Sequence, residues 1–546
     1  MSRRPTPEAP TARSVDMMET DAVFYRTSTS INLPRASRAA SAAGSAARTT
    51  QAPRRRWLAD LSARHLVAIG AAIVVVGLVA LWISVALANP PGSTTGLTVK
   101  AAMTLSLFAI AVWFWIFTTI DDTYVALGAA VLLVVTGVLP EETLFDTLGE
   151  DTVWLLLGSF VIAAGITTTG LATRAAAFIV TGARNPRQLM HLSNAALVAT
   201  AFTVPSTSGR AALAMPVFMA LASVLGGRSR LIVALALLFP SVILLTAVAS
   251  YLGAGAHLIT SQILVASGEP GFSFATWMLY GLPLAVVSSL ICVELILMLF
   301  TTPEERREPL SVTIADLQAH TPIPISGKLT FAQTKAAWLV VAVVFLWCAE
   351  PLHGVHPAVI ALAGGLAMTS DSLGVVKLGK ALKSVPWSLL IFMAATLAMG
   401  AALASSGAAR WAAESMLAPI HHSGQAAAII FVVLIVLIST AAHLIIQSRS
   451  ARSAVLIPLV VSMAPEVGVN AVAAAFASTA AAGFCHTMSS SAKPMALFSK
   501  IEDTETYTAR DLLRLSAWLA PISALLVLLF AFVIWPMQGM PLMLPR

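Results

Sequence analysis

The segment STSGRAALAMP (residues 206–216) returns in the second half of the chain as SRSARSAVLIP (residues 448–458), aligned without a gap. Both copies place Ser, Ser, Arg, Ala and Pro at the same offsets. Each copy begins in a polar break inside a long apolar stretch, at about residues 190–225 and 424–464. Polar, irregular backbone at membrane depth is stable only where protein buries it or a wet cavity surrounds it. We therefore predict two re-entrant hairpins with these breaks at their tips.

Apolar stretches continue along most of the 546-residue chain. Hydrophobic residues make up 58% of it and charged residues 11%, whereas a soluble domain has about 25% charged residues. This composition excludes a soluble globular protein. Because about 20 apolar residues cross a bilayer as a helix, we predict an all-α polytopic membrane protein with about 11 transmembrane helices plus two opposed re-entrant hairpins in an inverted repeat. The predicted spans are 65–88, 99–118, 123–139, 152–180, 229–267 with an interruption, 275–301, 335–351, 355–370, 386–408, 469–498 with an interruption, and 512–536.

Gly, Pro and charged residues divide the chain into five predicted parts. These are a disordered basic cytosolic tail (1–60), a first transmembrane helix and linker (61–98), a first repeat with the hairpin 190–225 (99–301), a cytosolic linker (302–334), and a second repeat with the hairpin 424–464 (335–540). Lys and Arg mark cytoplasmic loops, and the tail alone contains ten arginines. We therefore expect a multi-pass protein of the cell inner (plasma) membrane with its N-terminus cytoplasmic, its C-terminus outside, and hairpins that enter from opposite faces.

The charges near the two breaks have one sign. The positive residues there are Arg210, Arg449, Arg452 and Lys493. Neither hairpin contains Asp or Glu before Glu466. A helix restarts after each break, at about Gly209 and Ala451, and its free N–H groups and partial positive charge suit an anion. The sequence therefore predicts a cavity that accepts anions and rejects cations.

The predicted substrate-binding residues are the hydroxyl and arginine side chains of the two breaks. They are Ser206, Thr207, Ser208, Arg210, Ser448, Arg449, Ser450 and Arg452. An arginine inside the membrane costs about 2.5–3.5 kcal/mol on insertion scales, so it indicates a function. The alternative is a structural arginine that caps a helix C-terminus or reaches the membrane interface. Because Arg210 and Arg452 recur at one offset, we favour binding for both.

These residues resemble the divalent anion/sodium symporter (DASS) family of the ion transporter superfamily, whose members carry dicarboxylates, citrate or sulfate. That family has Ser-Asn-Thr at each hairpin tip and a Gly-Thr-Pro-Pro-Asn-like break in the helix after each hairpin. The corresponding tips here read Ser206-Thr207-Ser208 and Ser448-Arg449-Ser450. The corresponding breaks read Gly253-Ala254-Gly255-Ala256-His257 and, in a register that the sequence leaves open, Ser489-Ser490-Ser491-Ala492-Lys493. The helix-break region to which the resemblance assigns a role comprises Gly253, Ala254, His257, Ser490, Ser491 and Lys493. The resemblance implies secondary transport of small divalent or polyvalent anions by an elevator-type movement, and a homodimer.

The sequence departs from that family where the family binds sodium. Both tip Asn positions are lost, to Thr207 and Arg449, and the Thr and Asn of the first break become Ala254 and His257. A fixed guanidinium repels a sodium ion and supplies the positive charge that an anion needs. Our hypothesis is that arginines replace the bound cations, which predicts an exchanger, a uniporter or a proton-coupled carrier. Sodium stays the alternative coupling ion.

Other functions are less well supported by the residues. No catalytic pattern such as His-x-x-x-His or Gly-x-Ser-x-Gly occurs, so we expect no enzyme, and we expect no metal site, no organic cofactor and no nucleic-acid partner. The partners expected are a small anion, the lipid bilayer and a second copy of the chain. The alternatives that remain are a non-transporting anion sensor or scaffold, and another carrier of the superfamily, such as an arsenite or cation/proton transporter.

Overall fold

The apolar runs of the sequence fold as helices, because a helix pairs its own backbone N–H and C=O groups where water is absent. The computed structural model describes residues 63–89, 96–320, 324–417, 425–501 and 504–544. Within these ranges the only β-type pairings are two isolated bridges, and no strand is formed. The predicted all-α class is confirmed. The predicted tail, residues 1–60, lies outside the described residues.

Ten helical segments in the described part of the chain are long and apolar enough to cross a membrane. They are His65–Ala88, Val99–Phe117, Glu141–Thr169, Thr207–Val224, Ser229–Ala249, Phe274–Phe300, Phe331–Cys348, Trp387–Ser405, Ala426–Leu444 and Ala509–Met537. Shorter apolar helices account for other parts of the predicted spans, and they are Asp122–Val135, Leu171–Val180, Gly255–Ala266, Pro357–Thr369 and Ala471–Ala481. The chain is therefore a polytopic helical membrane protein.

The helix bounds follow the order of the two predicted halves. The first half contains α1 (Ala63–Ala88), α2 (Val99–Phe117), α3 (Asp122–Val135), α4 (Glu141–Gly149), α5 (Asp151–Thr169), α6 (Leu171–Val180), α7 (Pro186–Ala199), α8 (Thr207–Val224), α9 (Ser229–Leu245), α10 (Gly255–Ala266) and α11 (Phe274–Phe300). The connection contains α12 (Pro303–Arg307) and α13 (Ile314–Ala319). The second half contains α14 (Phe331–Cys348), α15 (Glu350–His353), α16 (Pro357–Thr369), α17 (Leu378–Lys383), α18 (Trp387–Ser405), α19 (Ala408–Leu417), α20 (Gln425–Ala441), α21 (Arg449–Met463), α22 (Ala471–Ala481), α23 (Lys493–Ser499), α24 (Ala509–Leu529) and α25 (Trp535–Met537).

The segment 140–151, which separates the predicted spans 123–139 and 152–180, is not a loop throughout. It contains α4, which starts directly after Pro140. Glu141 and Glu142 occupy the first turn of this helix, where carboxylates interact favourably with the partial positive charge of a helix N-terminus. A nine-residue helix with one polar face lacks the continuous apolar run by which hydropathy locates a helix.

Two other boundaries differ from the prediction. The predicted span 152–180 is divided at Gly170, whose φ of 68° ends α5 in the left-handed conformation that glycine adopts at little cost. Helix α14 begins at Phe331, inside the predicted linker 302–334, because Thr330 caps it. A capping box satisfies the free N–H groups of the first turn and so sets the start of a helix.

Small residues allow α5 and α16 to pack closely. A Cβ on Gly158 would lie 2.5 Å from the backbone carbonyl carbon of Ala361, and a Cβ on Gly364 would lie 3.0 Å from Cδ1 of Ile162 on α5. Helices in membranes associate through such small residues, because lipid provides no hydrophobic drive between them. This contact joins the two halves outside the helices that carry the polar breaks.

The interruption between α9 and α10 is held by α11. Two 3-10 turns, Thr246–Ala249 and Tyr251–Gly253, fill the interruption. The indole N–H of Trp277 on α11 donates to the Val248 carbonyl over 3.0 Å. Any side chain at Gly281 would collide with the same carbonyl. The irregular backbone is thus paired and enclosed, as membrane depth requires.

Candidate functional site

The two predicted tips are built in the same way. We define the first tip as residues 205–210 and the second tip as residues 447–452. A 3-10 turn precedes each tip, Thr200–Phe202 before the first and Ala442–Leu444 before the second. The Ser206 hydroxyl then accepts from the Gly209 N–H over 3.3 Å, and the Ser448 hydroxyl accepts from the Ala451 N–H over 3.3 Å. Both serines therefore cap the restarting helices α8 and α21.

The hydroxyl side chains of both tips are half-buried. These residues are Ser206, Thr207, Ser208, Ser448 and Ser450. Half-burial leaves part of each tip open to a small ligand or to water, while the arginines two residues further along each helix are fully enclosed.

The two helix breaks also share a backbone conformation. Ala254 has φ −157° and ψ 148°, and Ala492 has φ −157° and ψ 146°. Each stands directly before a restarting helix, α10 or α23. This match sets the register that the sequence left open, so Gly253 corresponds to Ser491 and Gly255 to Lys493.

The predicted residues of the first break are more enclosed than those of the second. Gly253, Ala254 and His257 are buried. In the second break Ser491 is buried, and its hydroxyl accepts from the Met488 N–H over 3.2 Å. The remaining two predicted residues, Ser490 and Lys493, are exposed. The positive charge of Lys493 is therefore not confined inside the protein.

The first break meets the second tip. A Cβ on Gly255 would lie 3.2 Å from the Ser450 hydroxyl oxygen. The Arg449 Nη2 lies 3.3 Å from Nε2 of His257, and Nδ1 of His257 lies 3.1 Å from the Ser250 carbonyl. Because a carbonyl only accepts, Nδ1 carries the proton and Nε2 accepts from Arg449. The N-terminus of α10, a neutral His257 and the second tip therefore converge.

Arg210 is fully buried, and every nitrogen of its guanidinium is used. Its Nε donates to the Thr200 hydroxyl over 2.9 Å, and Nη1 donates to the Ile243 carbonyl over 3.0 Å. Its Nη2 donates to the Leu197 carbonyl over 2.7 Å and to the Thr246 hydroxyl over 2.8 Å. Arg210 thus ties α8 to the ends of α7 and α9, which matches the structural alternative considered for it above.

Arg452 is equally buried but has few partners. Its Nη2 donates to Cys485 Sγ over 2.8 Å, while Nε and Nη1 are buried without a partner among the described residues. Counted back from the second tip, the residue equivalent to Thr200 is Ala442. Counted back from the second break, the residue equivalent to Thr246 is Phe484. The hydroxyls that accept from Arg210 therefore have no counterpart at Arg452.

Arg449 adds a second guanidinium with free donors beside the second tip. Its Nε and Nη1 are also buried without a partner among the described residues. Gly483 makes room for this group, since a Cβ there would lie 2.9 Å from Arg449 Nη2 and 2.9 Å from the Ala480 carbonyl oxygen. Sequence reasoning missed Gly483, although a glycine directly after the Ala-rich helix α22 signals a close approach.

His486, which follows Cys485 in the chain, carries a third donor without a partner among the described residues. The Nδ1 of His486 accepts from the Cys485 N–H over 3.2 Å, so the proton of its neutral ring is on Nε2, which is buried and unpaired among the described residues. Neither Arg210, Arg449 nor Arg452 forms an ion pair with a carboxylate in the described ranges. The region around the second tip therefore offers hydrogen-bond donors and positive charge, which suit an anion.

The described residues contain no group of three or more His, Cys, Asp and Glu side chains able to hold a metal ion. The chemistry available at the tips is binding by hydroxyl, imidazole and guanidinium groups.

A family model described as a citrate transporter, CitMHS, matches residues 111–481. The chain belongs to this family. The matched range contains both tips, the first break and α22. The resemblance to carriers of divalent anions is thereby confirmed, and the expectation that the chain is not an enzyme is confirmed because the citrate transporter family is a family of carriers.

Individual relatives are distant. A membrane protein of Cupriavidus necator is 22% identical over 403 residues, which cover 70% of this chain and 74% of that protein. The sodium-dependent dicarboxylate transporter SdcS of Staphylococcus aureus is 22% identical over 455 residues, covering 78% of this chain and 84% of SdcS. Among solved structures, the YdaH transporter of Alcanivorax borkumensis is 15% identical with a TM-score of 0.47, covering 88% of this chain and 100% of that chain. Together with the helices described above, membership in the citrate transporter family makes the protein a multi-pass membrane transporter of small anions.

Proposed function

We propose that the protein is a secondary transporter of small carboxylate anions with two or three negative charges, of the citrate and dicarboxylate class. The observation that carries the proposal is the pair of guanidinium groups of Arg449 and Arg452, whose buried Nε and Nη1 donors have no partner among the described residues. A buried donor without a partner costs about 1–3 kcal/mol, and more when it is charged. A bound carboxylate accepts from these donors and removes that cost. Family membership and the named activity of SdcS support the same cargo.

The second tip supplies the proposed binding groups. One carboxylate accepts from Arg452, and a second accepts from Arg449, so the two arginines together select an anion with more than one charge. The Ser450 hydroxyl and the N-terminus of α10 at Gly255 are close enough to each other to contact the same ligand. Dipoles at a helix N-terminus add to the attraction of an anion.

The first tip has a different proposed role in anion binding. The hydroxyls of Ser206, Thr207 and Ser208 remain proposed ligands for the distal part of the cargo. Arg210 holds the first tip in place through its four hydrogen bonds, and its charge acts on the anion without contact. This division moves the direct charge partners of the cargo to the second half of the chain.

Sodium is not required in this proposal. Thr207 and Arg449 stand where the resembled family has Asn at its sodium sites. A sodium ion beside Arg449 would face a like charge in a weakly screened environment. The two fixed guanidinium groups instead supply the positive charge, so we propose exchange, uniport or proton-coupled carriage of the anion.

The working cycle that we propose rests on the pairing of the two halves. The two tips correspond in order and in their serine caps, and the two breaks correspond in backbone conformation, which supports an inverted repeat with two opposed hairpins. We propose that these elements move as an elevator against the helices joined by Gly158 and Ala361, in a homodimer. The N-terminus lies in the cytoplasm in this scheme and the C-terminus lies outside, following the distribution of Lys and Arg.

Uptake into proteoliposomes tests the proposal. Radiolabelled citrate, succinate and sulfate are offered separately, first with sodium and then with choline in its place. We expect saturable uptake of citrate or succinate that continues in choline and is lost in Arg452→Gln. Arg410→Gln is the matched control, because Arg410 is an exposed arginine on α19, and its uptake should equal that of the wild type. Absence of uptake of all three anions would contradict the transporter proposal, and uptake only with sodium would contradict the coupling proposal.

A further inference from the structure

A large cavity lies apart from the two tips, where α4 and α5 face α10 and the start of α16. Its volume is about 440 Å³, within the range of about 300–1,000 Å³ that is typical of small-molecule sites. No residue of either tip lines it. Its acidic lining residues are Asp146, Glu150, Asp151 and Glu350. Among the described residues that line it, none is Lys or Arg, so its charge is opposite to that of the tips.

Most of this negative charge is uncompensated. Asp151 is in use, because Nε2 of His356 lies 3.0 Å from its Oδ2 and the Thr152 hydroxyl donates to its Oδ1 over 2.9 Å. Oε2 of Glu350 is buried and has no hydrogen-bond partner among the described residues. Asp146 and Glu150 take part in none of the ion pairs of the described chain. A cation entering the cavity therefore meets free carboxylates.

A buried amide gives an independent indication of a ligand. Gln262 on α10 lines the cavity and is only 7% exposed. Both its Nε2 and its Oε1 lack a hydrogen-bond partner among the described residues. Buried side-chain amides in native proteins are almost always paired. The free amide therefore points to a bound molecule that accepts from Nε2, donates to Oε1, or does so through water.

The walls of the cavity favour an organic ion over a bare metal ion. No group of three His, Cys, Asp or Glu side chains in the described ranges is arranged to hold a metal. Apolar side chains complete the lining, among them Leu155, Val265 and Phe272. We infer that this cavity binds a small organic cation, a primary alkylammonium ion whose N–H groups donate to Glu350 and Gln262 and whose apolar body packs on this wall.

The proposed cation site and the proposed anion site share one helix. Gln262 lies seven residues after Gly255 on α10, which is about 10 Å at a rise of 1.5 Å per residue. The cation site contains none of the tip residues, so it stands or falls independently of the cargo proposed for Arg452. A binding measurement without transport keeps the two proposals separate.

Protons compete with the proposed cation. Burial raises the pKa of Glu350, and His356 and His353 oppose that shift. The groups that face Glu350 and the ligand are Asp146 on α4, Glu150 between α4 and α5, Asp151 on α5, Tyr251 before α10, His353 on α15 and His356 at the start of α16. Because the ammonium group needs an ionised Glu350, binding weakens as pH falls through the raised pKa.

Calorimetry on the full chain in lipid nanodiscs tests the site. Hexylammonium chloride is titrated at pH 8 into wild type, Gln262→Leu and Glu350→Gln, with hexanol as the neutral analogue of the same shape. We expect saturable binding of hexylammonium to the wild type, no saturable binding of hexanol, and affinity at least tenfold lower in either variant, which corresponds to loss of one hydrogen bond to a charged group. Arg452→Gln should bind hexylammonium as the wild type does, and stepwise lowering of the pH from 8 should weaken binding.

The opposite results are equally clear. Absence of saturable hexylammonium binding to the wild type overturns the inference, as does unchanged affinity in both Gln262→Leu and Glu350→Gln. Displacement of hexylammonium by MgCl₂, beyond that by choline chloride of equal ionic strength, would assign the cavity to metal ions instead. Thermal melting of each variant establishes that it is folded, and two chemically different variants prevent one unstable protein from deciding the outcome.

Discussion

Arg210 and Arg452 occupy equivalent positions in the two halves of the chain and are both fully buried, yet their surroundings differ. Arg210 makes four hydrogen bonds to the ends of α7 and α9. Arg452 makes one, to Cys485, and keeps two buried nitrogens without a partner among the described residues. A repeated residue therefore need not have a repeated role.

The difference arises from a few hydroxyl groups. Thr200 and Thr246 accept from Arg210, and the second half has Ala442 and Phe484 at their positions. Because every guanidinium nitrogen of Arg210 is paired within the protein, Arg210 stabilises the fold. Without such partners, the second arginine can be satisfied only by a ligand or by water. Arg449, which stands where the resembled family has the tip Asn, adds a second unsatisfied guanidinium at the second tip.

The largest expected effect is on stability, at Arg210. Arg210→Gln removes donors from two carbonyls and two hydroxyls that are buried with it, and we expect the free energy of unfolding to fall by about 3 kcal/mol or more. Unfolding in SDS, followed by circular dichroism, measures this change. Arg452→Gln is the matched variant and should lose far less. Equal losses of stability in both variants would remove the distinction between the two arginines.

The second effect is on anion binding, at Arg452. Arg452→Gln removes a charged donor from the proposed carboxylate site, so we expect the Kd for citrate to rise about 100-fold, as loss of charge-assisted hydrogen bonds predicts. Calorimetry with the purified protein measures the Kd. The folded fraction of Arg210→Gln, selected by size-exclusion chromatography, should still bind citrate within about tenfold of the wild type. A normal Kd in Arg452→Gln argues for a purely structural role.

A smaller effect is expected from Gly483, which gives Arg449 its space. The new methyl group of Gly483→Ala would lie 2.9 Å from Arg449 Nη2, and such a contact forces the guanidinium to move. We expect citrate affinity to fall by about tenfold, because a displaced donor loses one charged hydrogen bond. Gly400→Ala is the control, since the nearest atom to its Cβ would be 3.9 Å away. If both variants bind citrate alike, the position of Arg449 is immaterial.

The smallest effect should be shared by the two halves. Ser206 and Ser448 cap their helices over the same distance of 3.3 Å. Replacing either serine by alanine should reduce the free energy of unfolding by about 1 kcal/mol. SDS unfolding of the two single variants measures both losses. Losses that differ by more than about 1 kcal/mol would mean that the caps, like the arginines, have diverged.

The sequence predicted the elements of the site better than their contacts. Polar residues inside an apolar run identify a break without any knowledge of the fold, so both tips and the first break were located. The second break was ambiguous because Ser489, Ser490 and Ser491 offer three equivalent registers, and only the backbone angles of Ala492 separate them. Helix α4 was missed because nine amphipathic residues give no apolar run.

Contacts between distant segments set the limit of the sequence analysis. The acceptors of Arg210 come from two different helices. Ile243 is 33 residues from Arg210 in the chain, and no local sequence pattern indicates that the two residues are in contact. The need for a glycine at position 483 likewise depends on the direction of the Arg449 side chain, which lies against it. Equal offsets suggested equal roles for the two arginines, but offsets along the chain do not encode which side chains surround a residue in space.

Electron cryo-microscopy of the protein in lipid nanodiscs with saturating citrate tests the central claim most directly, because it locates the anion. The account predicts citrate at the second tip, with carboxylate oxygens about 2.7–2.9 Å from Nε or Nη1 of Arg449 and Arg452. It also predicts that Arg210 keeps its hydrogen bonds to Thr200 and Thr246. Citrate bound to Arg210, or citrate bound elsewhere while the donors of Arg452 stay unpaired, would contradict it.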